Sequence, residues 1–312
     1  MSTYTNINRA YYILRLLQTK GIGQIKAREI IETCRQNNVS LEEMFNKVDS
    51  DGLLPAIIMK HYQSLRNKDV RVDEQWKKLN ENSIKTILYD EVDYPKTLLS
   101  VLKNHSPVIL FYKGNLEILK KPAVGFCGSR KASEKGLDTA EDSADQIARE
   151  GANIISGYAQ GVDITVHVSA LKAGGVTTLV LAEGILNFKL KKELAKEFDS
   201  NRTLIISEFL PAVPWSVRNA MQRNTTICAL SNLIILIEAH EKGGSFDAGK
   251  KCLAMGRPLF TAVYSDMPEA AIGNRILLNE GAHGLMRNKV TGKAHMLQAR
   301  EILFGDNIQA SL

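Results

Sequence analysis

Three short segments of this 312-residue chain carry the residue types that anion chemistry needs. The first holds Gly128, Ser129, Arg130 and Lys131; the second Gly157, Tyr158, Gln160, Gly161 and Asp163; the third Lys242, Gly243, Gly244 and Ser245. Each follows an apolar run of strand length and precedes a helix-compatible stretch. Glycines at such turns let backbone N–H groups face a ligand, and the start of the next helix favours negative charge. Arg130 adds a forked guanidinium suited to phosphate. A single glycine turn is weak evidence, because glycine also simply turns a chain. Three on one edge of a sheet predict a phosphate-binding crevice.

Other ionisable residues fall nearby. Glu183, Glu208 and Glu238 stand at or just after strand ends. They either meet a ribose hydroxyl, a base edge or a metal, or pair with Arg130, Arg223 and Lys242 to hold the loops. Asp163 and His167 are four residues apart and share one side of a helix. Asp163 is placed to cap that helix, and His167 is either a general base or a hydrogen-bonding element. Gly244 to Lys250 has P-loop spacing, but Lys251 stands where Ser or Thr should hold Mg²⁺. No dinucleotide fingerprint follows the first strand, and cysteines and histidines form no metal-ligand grouping.

The elements behind these turns are legible as alternation. Apolar runs at 122–127, 153–156, 177–182, 203–207, 233–237 and 259–264 are separated by helix-compatible stretches at 133–149, 161–173, 189–198, 216–230, 245–255 and 270–279. Strands apolar throughout, each followed by a helix, predict an α/β fold with a parallel sheet. Ligands of such sheets bind outside the carboxyl ends of the strands. Residues 1–82 read as a small helical domain, 83–285 as the sheet domain, and 286–312 as a tail or terminal helix. Two short strands are expected at 84–88 and 108–112. Gly21 and Gly23, with small Ala27 beyond, resemble a helix–hairpin–helix. That hairpin either aims N–H groups at a nucleic-acid phosphate or is a tight helical corner.

Composition narrows the classes. A 44% hydrophobic and 24% charged chain has material for a core and is neither disordered nor fibrous. Four widely spaced cysteines point to reduced thiols and a cytoplasmic protein. No apolar run approaches the roughly 20 residues of a membrane span. Net charge is +6, with 13 Lys/Arg against 9 Asp/Glu in the first 80 residues, which permits nucleic-acid binding without demanding it.

In order and spacing, the segment 93–285 resembles the DNA-processing protein A (DprA/Smf) family. The matching residues include Asp93, Tyr94, Pro95, Pro107, the 128–130 turn, Gly157, Gly161, Asp163, His167, Arg223, Asn224, Glu238, Ser245, Gly273 and Asn274. The resemblance implies an extended Rossmann-like core behind a SAM-like helical domain. It also implies single-stranded DNA binding, a RecA-type recombinase as partner, a homodimer, and a role in natural transformation or recombination, with no cofactor and no assigned reaction. Arg130, Arg223 and Lys242 would then neutralise phosphates, with Asn224 and Asn274 beside them; Tyr158 and Phe188 are the candidates to stack bases, with core packing the alternative for Phe188. Gln160 stands where the family usually has Arg or Lys. A binder or phosphoribohydrolase of small nucleotides is the alternative, and an interaction scaffold a third.

Overall fold

The computed structural model describes residues 2–49, 54–66, 70–266 and 268–305. Its contacts divide the chain into two compact units. The first contains residues 1–112 with the short segments 184–187 and 207–213. It begins with helices α1 (Ser2–Gln18), α2 (Gln24–Gln36), α3 (Leu41–Asp49), α4 (Ala56–Met59), α5 (Tyr62–Arg66) and α6 (Arg71–Glu81). Ile13, Leu14, Leu16, Ile30, Met44 and Phe45 recur at helical spacing and are fully buried.

Between α1 and α2 the chain turns at Gly21, whose φ of +86° suits glycine. Ala27 is fully buried. The first turns of α2 face inward. Gln24 Oε1 accepts the Val108 N–H at 3.0 Å, and Arg28 donates to the Ser106 carbonyl at 2.9 Å while lying 4.0 Å over the Tyr89 ring. These contacts fit the helical-corner reading of the hairpin. Next come β1 (Lys85–Leu88), α7 (Lys96–Leu102) and β2 (Ile109–Gly114), with β1 and β2 antiparallel. Tyr94 is buried and donates its hydroxyl to the Pro107 carbonyl at 2.7 Å, which explains that pair of motif residues as packing.

The second unit carries β3 (Ala123–Cys127), α8 (Glu134–Arg149), β4 (Asn153–Ser156), α9 (Val162–Lys172), β5 (Val176–Val180), α10 (Lys192–Ala195) and β6 (Thr203–Ser207). It continues with α11 (Val217–Leu230), β7 (Leu233–Leu236), α12 (Gly244–Ala254), β8 (Leu259–Ala262), α13 (Ile272–Asn279), β9 (His283–Leu285) and α14 (Leu297–Phe304). Seven strands run in the order β6-β5-β4-β3-β7-β8-β9, every adjacent pair parallel. This is a Rossmann-like α/β sheet. On one face, α8, α9 and α14 share an apolar core with Val124, Ile154 and Ile235. Helices α11 and α12 pack against each other and on the strands.

All six apolar runs are strands. The helix expected at 189–198 shrinks to the single turn of α10. Within the stretch read as tail or terminal helix, Met296, Ala299 and Leu303 are buried in the core, so α14 is part of the packed layer. Residues 306–312 of that stretch lie outside the described residues.

Candidate functional site

Strand order reverses at β3, with β4 on one side and β7 on the other. A crevice is expected outside the carboxyl ends at that point. A cleft of about 1010 Å³ is found there, lined among others by Gly128, Ser129, Arg130, Ala159, Asp163, Trp215, Arg223, Lys242, Gly243, Gly244 and Ser245. The three glycine turns therefore meet at one rim. Arg130 and Lys131 are exposed, and the Arg130 guanidinium lies 5.2 Å from the ring of Trp215, itself 46% exposed. The first two turns touch backbone to backbone. A Cβ on Gly161, where φ is +76°, would sit 2.5 Å from the Ser129 carbonyl oxygen.

The second turn is braced from behind. Asp163 does not cap α9. Its carboxylate accepts the Ser156 hydroxyl at 3.1 Å and the Ala159 N–H at 3.2 Å, and lies 3.4 Å from Arg223 Nη1. The resulting ion pair is nearly sealed, with side chains 10% and 7% exposed. Arg223 thus holds the turn, and as a cleft-lining residue it offers little free charge. Its Nε–H is buried without a hydrogen-bond partner. His167 is fully buried between the Gly157 carbonyl and the Thr177 hydroxyl, each 2.6 Å away. A carbonyl only accepts, so Nε2 carries a proton, while Nδ1 faces a Thr177 hydroxyl that also reaches the Ile154 carbonyl at 2.7 Å. Burial pulls the imidazole down to about 4, so it is neutral at pH 7 and serves as a hydrogen-bonding element. Sealed from the cleft, it cannot act as a base on a ligand.

Tyr158 is gripped by the segment that follows the next strand. Its ring lies 5.3 Å from Phe188 and 4.4 Å beneath the Lys191 ammonium. Its hydroxyl accepts the Lys191 backbone N–H at 2.7 Å, and Lys191 Nζ donates to its carbonyl. Burial lowers the Lys191 pKa, and Asp163 works against that. Gln160 is exposed at the tip of the turn.

Other expected site residues prove structural. Glu238 is fully buried and accepts from the Ser133 N–H, the Ser133 hydroxyl and the Tyr264 hydroxyl, which anchors the start of α8. It pairs with none of the three cations expected for it. Asn274 is also fully buried. Its carbonyl oxygen accepts the Ala239 N–H at 3.0 Å, and its amide donates to the Ile237 and Ala262 carbonyls at 2.7 and 3.0 Å. With its amide spent, Asn274 fixes the end of β7 and does not reach the cleft. Asn224 donates to the Gly244 carbonyl at 3.1 Å and so steadies the third turn. The P-loop spacing dissolves: Gly249 packs inside α12 and Lys250 binds Glu280. Among the described residues no His/Cys/Asp/Glu cluster is spaced for a metal, and no helix is long and apolar enough to cross a membrane. All four cysteines are buried thiols.

Residues 85–294 match the family described as DNA recombination-mediator protein A. The chain belongs to this family. The DNA processing protein DprA of Streptococcus pneumoniae is 32% identical over 275 residues, 87% of this chain and 93% of that protein. The X-ray structure of the S. pneumoniae protein superposes with a TM-score of 0.72 at 27% identity, covering 88% and 94%. A DprA structure from Helicobacter pylori, described for its single-stranded DNA binding mode, gives 0.56 at 26% identity over 64% and 90%. In this DprA-family chain one cleft residue, Trp215, and one residue beside the second turn, Lys191, leave no pattern in the sequence. Trp215, one of two tryptophans, lies in a loop, and Lys191 in a short basic run.

Proposed function

We propose that this DprA-family protein binds single-stranded DNA across the rim formed by the 128–131, 157–161 and 242–245 turns. The observation that supports the reading most is their convergence on one cleft, with exposed Arg130 beside exposed Trp215. Phosphates meet backbone N–H groups and the guanidinium, while a base stacks on the indole face, a sequence-tolerant mode worth roughly 1–3 kcal/mol per base. Lys191 supplies cationic charge close to Gln160, where the family usually places a cation. Lys131 and Lys242 extend the positive rim. Glu238, Asp163, Arg223 and His167 pre-set the loops, so little ordering entropy is spent on binding.

On this reading residues 1–82 form a helical domain of their own. The protein acts in the cytoplasm, in DNA uptake or recombination, as a homodimer that passes its strand to a RecA-type recombinase. It works by binding, not catalysis.

The test is an anisotropy titration of labelled oligo-dT against Arg130→Ala. Affinity in low salt should fall about tenfold, and the log–log salt slope should become shallower by about one. Unchanged affinity would remove Arg130 from the site. Thermal stabilisation by a mononucleotide and not by the oligomer would favour the small-nucleotide alternative.

A further inference from the structure

Past the third turn the sheet continues, and its last strand runs into a basic hairpin. Strands β7, β8 and β9 are parallel neighbours, so β9 ends on the same edge of the sheet as the three glycine turns. At about 4.8 Å per strand, that end stands roughly 10 Å along the edge from β7. There the chain folds back on itself. Arg287 bridges to Ala294, and the Asn288 N–H donates to the Lys293 carbonyl at 2.8 Å. The Asn288 side-chain oxygen accepts the N–H groups of Val290 and Thr291 at 2.8 and 3.0 Å, an Asx turn that gives the loop its own shape. The tip is unobstructed: Lys289, Thr291 and Lys293 are exposed, and Val290 is 94% exposed.

Charge sets this hairpin apart. Residues 281–300 include Arg287, Lys289, Lys293 and Arg300 and no carboxylate. The acids of α8 that face it serve its root. Asp142 accepts the Ala294 N–H at 2.6 Å, and Asp138 lies 3.9 Å from Arg287. Among the described residues neither Lys289 nor Lys293 has an ion-pair partner. The same contacts give the hairpin its direction. Ala294 lies at Asp142, and Arg287 reaches Asp138, one turn nearer the start of α8. The tip beyond Arg287 therefore projects towards that start, which follows the 128–131 turn. Tyr264, at the end of β8, ties the region together. Its hydroxyl donates to Glu238, the anchor of α8, at 3.1 Å.

We propose that the 287–293 hairpin is a second grip on the bound strand, in which Lys289 and Lys293 take phosphates outside the cleft. The inference rests on the single-strand reading above and lengthens its footprint along the sheet edge. Lysine meets a phosphate as a point charge, so the contact is blind to base identity. The loop is held by its own hydrogen bonds, so its backbone needs no ordering on binding. The turns after β4, β3 and β7 span two strand spacings, and β9 lies two further on. Only a strand longer than the cleft reaches the hairpin.

The test is an anisotropy titration with oligo-dT of about 6 and about 20 nucleotides, lengths within and beyond one single-strand site. It compares the wild type with Lys289→Ala/Lys293→Ala. A control, Lys121→Ala/Lys172→Ala, removes the same charge from the opposite edge, where β3 begins and α9 ends. On the long strand the hairpin variant should bind about fivefold more weakly in low salt. Its log–log salt slope should be shallower by about 1.4, at ~0.7 per phosphate contact. The charge reversal Lys289→Glu/Lys293→Glu should weaken binding further, while the control and the wild type agree. On the short strand the hairpin variant should match the wild type. Wild-type affinity of the hairpin variant for the long strand overturns the proposal, and is the result expected if the hairpin serves an acidic protein surface instead. A loss equal to the control's, or equal on both strand lengths, overturns it as well. If the wild type binds neither strand in low salt, the single-strand reading itself fails and the hairpin proposal with it.

Discussion

Two of the three rim turns look alike in sequence, yet their glycines do different work. At Gly157 the side chain is excluded by what lies behind it: a Cβ would come within 1.2 Å of Arg223 Nη1 and 2.3 Å of Asp163 Oδ2. At Gly243 a Cβ would meet nothing within 4 Å, and the requirement is the backbone itself, with φ at +116°. The 157–161 turn is a finished surface, held by a sealed ion pair, a neutral histidine and Lys191. The 242–245 turn is exposed and is tied by Asn224 at Gly244. One end of the rim is thus fixed by buried side chains behind it, and the other by its own backbone conformation and a single exposed hydrogen bond.

The largest effect that separates the two is Gly157→Ala. The new methyl must push the Arg223 guanidinium off Asp163, and breaking a buried pair costs about 3–5 kcal/mol. Urea unfolding should show that loss; a change under about 1 kcal/mol would mean the turn is not braced as described. Next comes pH. His167 has its folded pKa pulled down to about 4, below the ordinary 6.5 of the unfolded chain. The unfolded state therefore takes up the proton first. The stabilisation from neutral His167 is complete above pH 6.5 and drains away as pH falls towards 4, by about 3 kcal/mol in all. His167→Gln keeps a donor for the Gly157 carbonyl and should lack this component, so equal pH slopes in the two proteins would refute the assignment. Smallest is Gly243→Ala, at about 1–2 kcal/mol for a left-handed backbone with open space around it. Were thermal melts to rank Gly243→Ala level with Gly157→Ala, the contrast between the turns would be lost.

What could be read from sequence follows the physics of each part. The six main strands are buried on both faces, so they appear as unbroken apolar runs. The glycine turns appear because each interrupts such a run just before a helix. Strand β9 is three residues long, and Leu297 and Ile302 of α14 are exposed, which blurs any periodicity. Within the site, Arg130 was legible as an exposed cation at a strand end. The partner of Glu238 was not, because Ser133 lies 105 residues away and hydrogen-bond partners leave no local pattern. Asn274 matched the family's motif for a packing reason, and a motif match alone cannot separate the two. Tyr158 reads as a stacking face and Phe188 as either a stacking face or core; their mutual contact, with Lys191 over the Tyr158 ring, belongs to tertiary structure.

Helix α14 has a consequence for biosynthesis. Met296, Ala299 and Leu303 close the same apolar layer that α8 and α9 begin some 150 residues earlier in the chain. A nascent polypeptide can pair all seven parallel strands and still leave greasy surface open on that side until α14 emerges from the ribosome. A premature stop after β9 should therefore yield a sticky product that holdase chaperones retain, with its rim turns assembled and its floor missing.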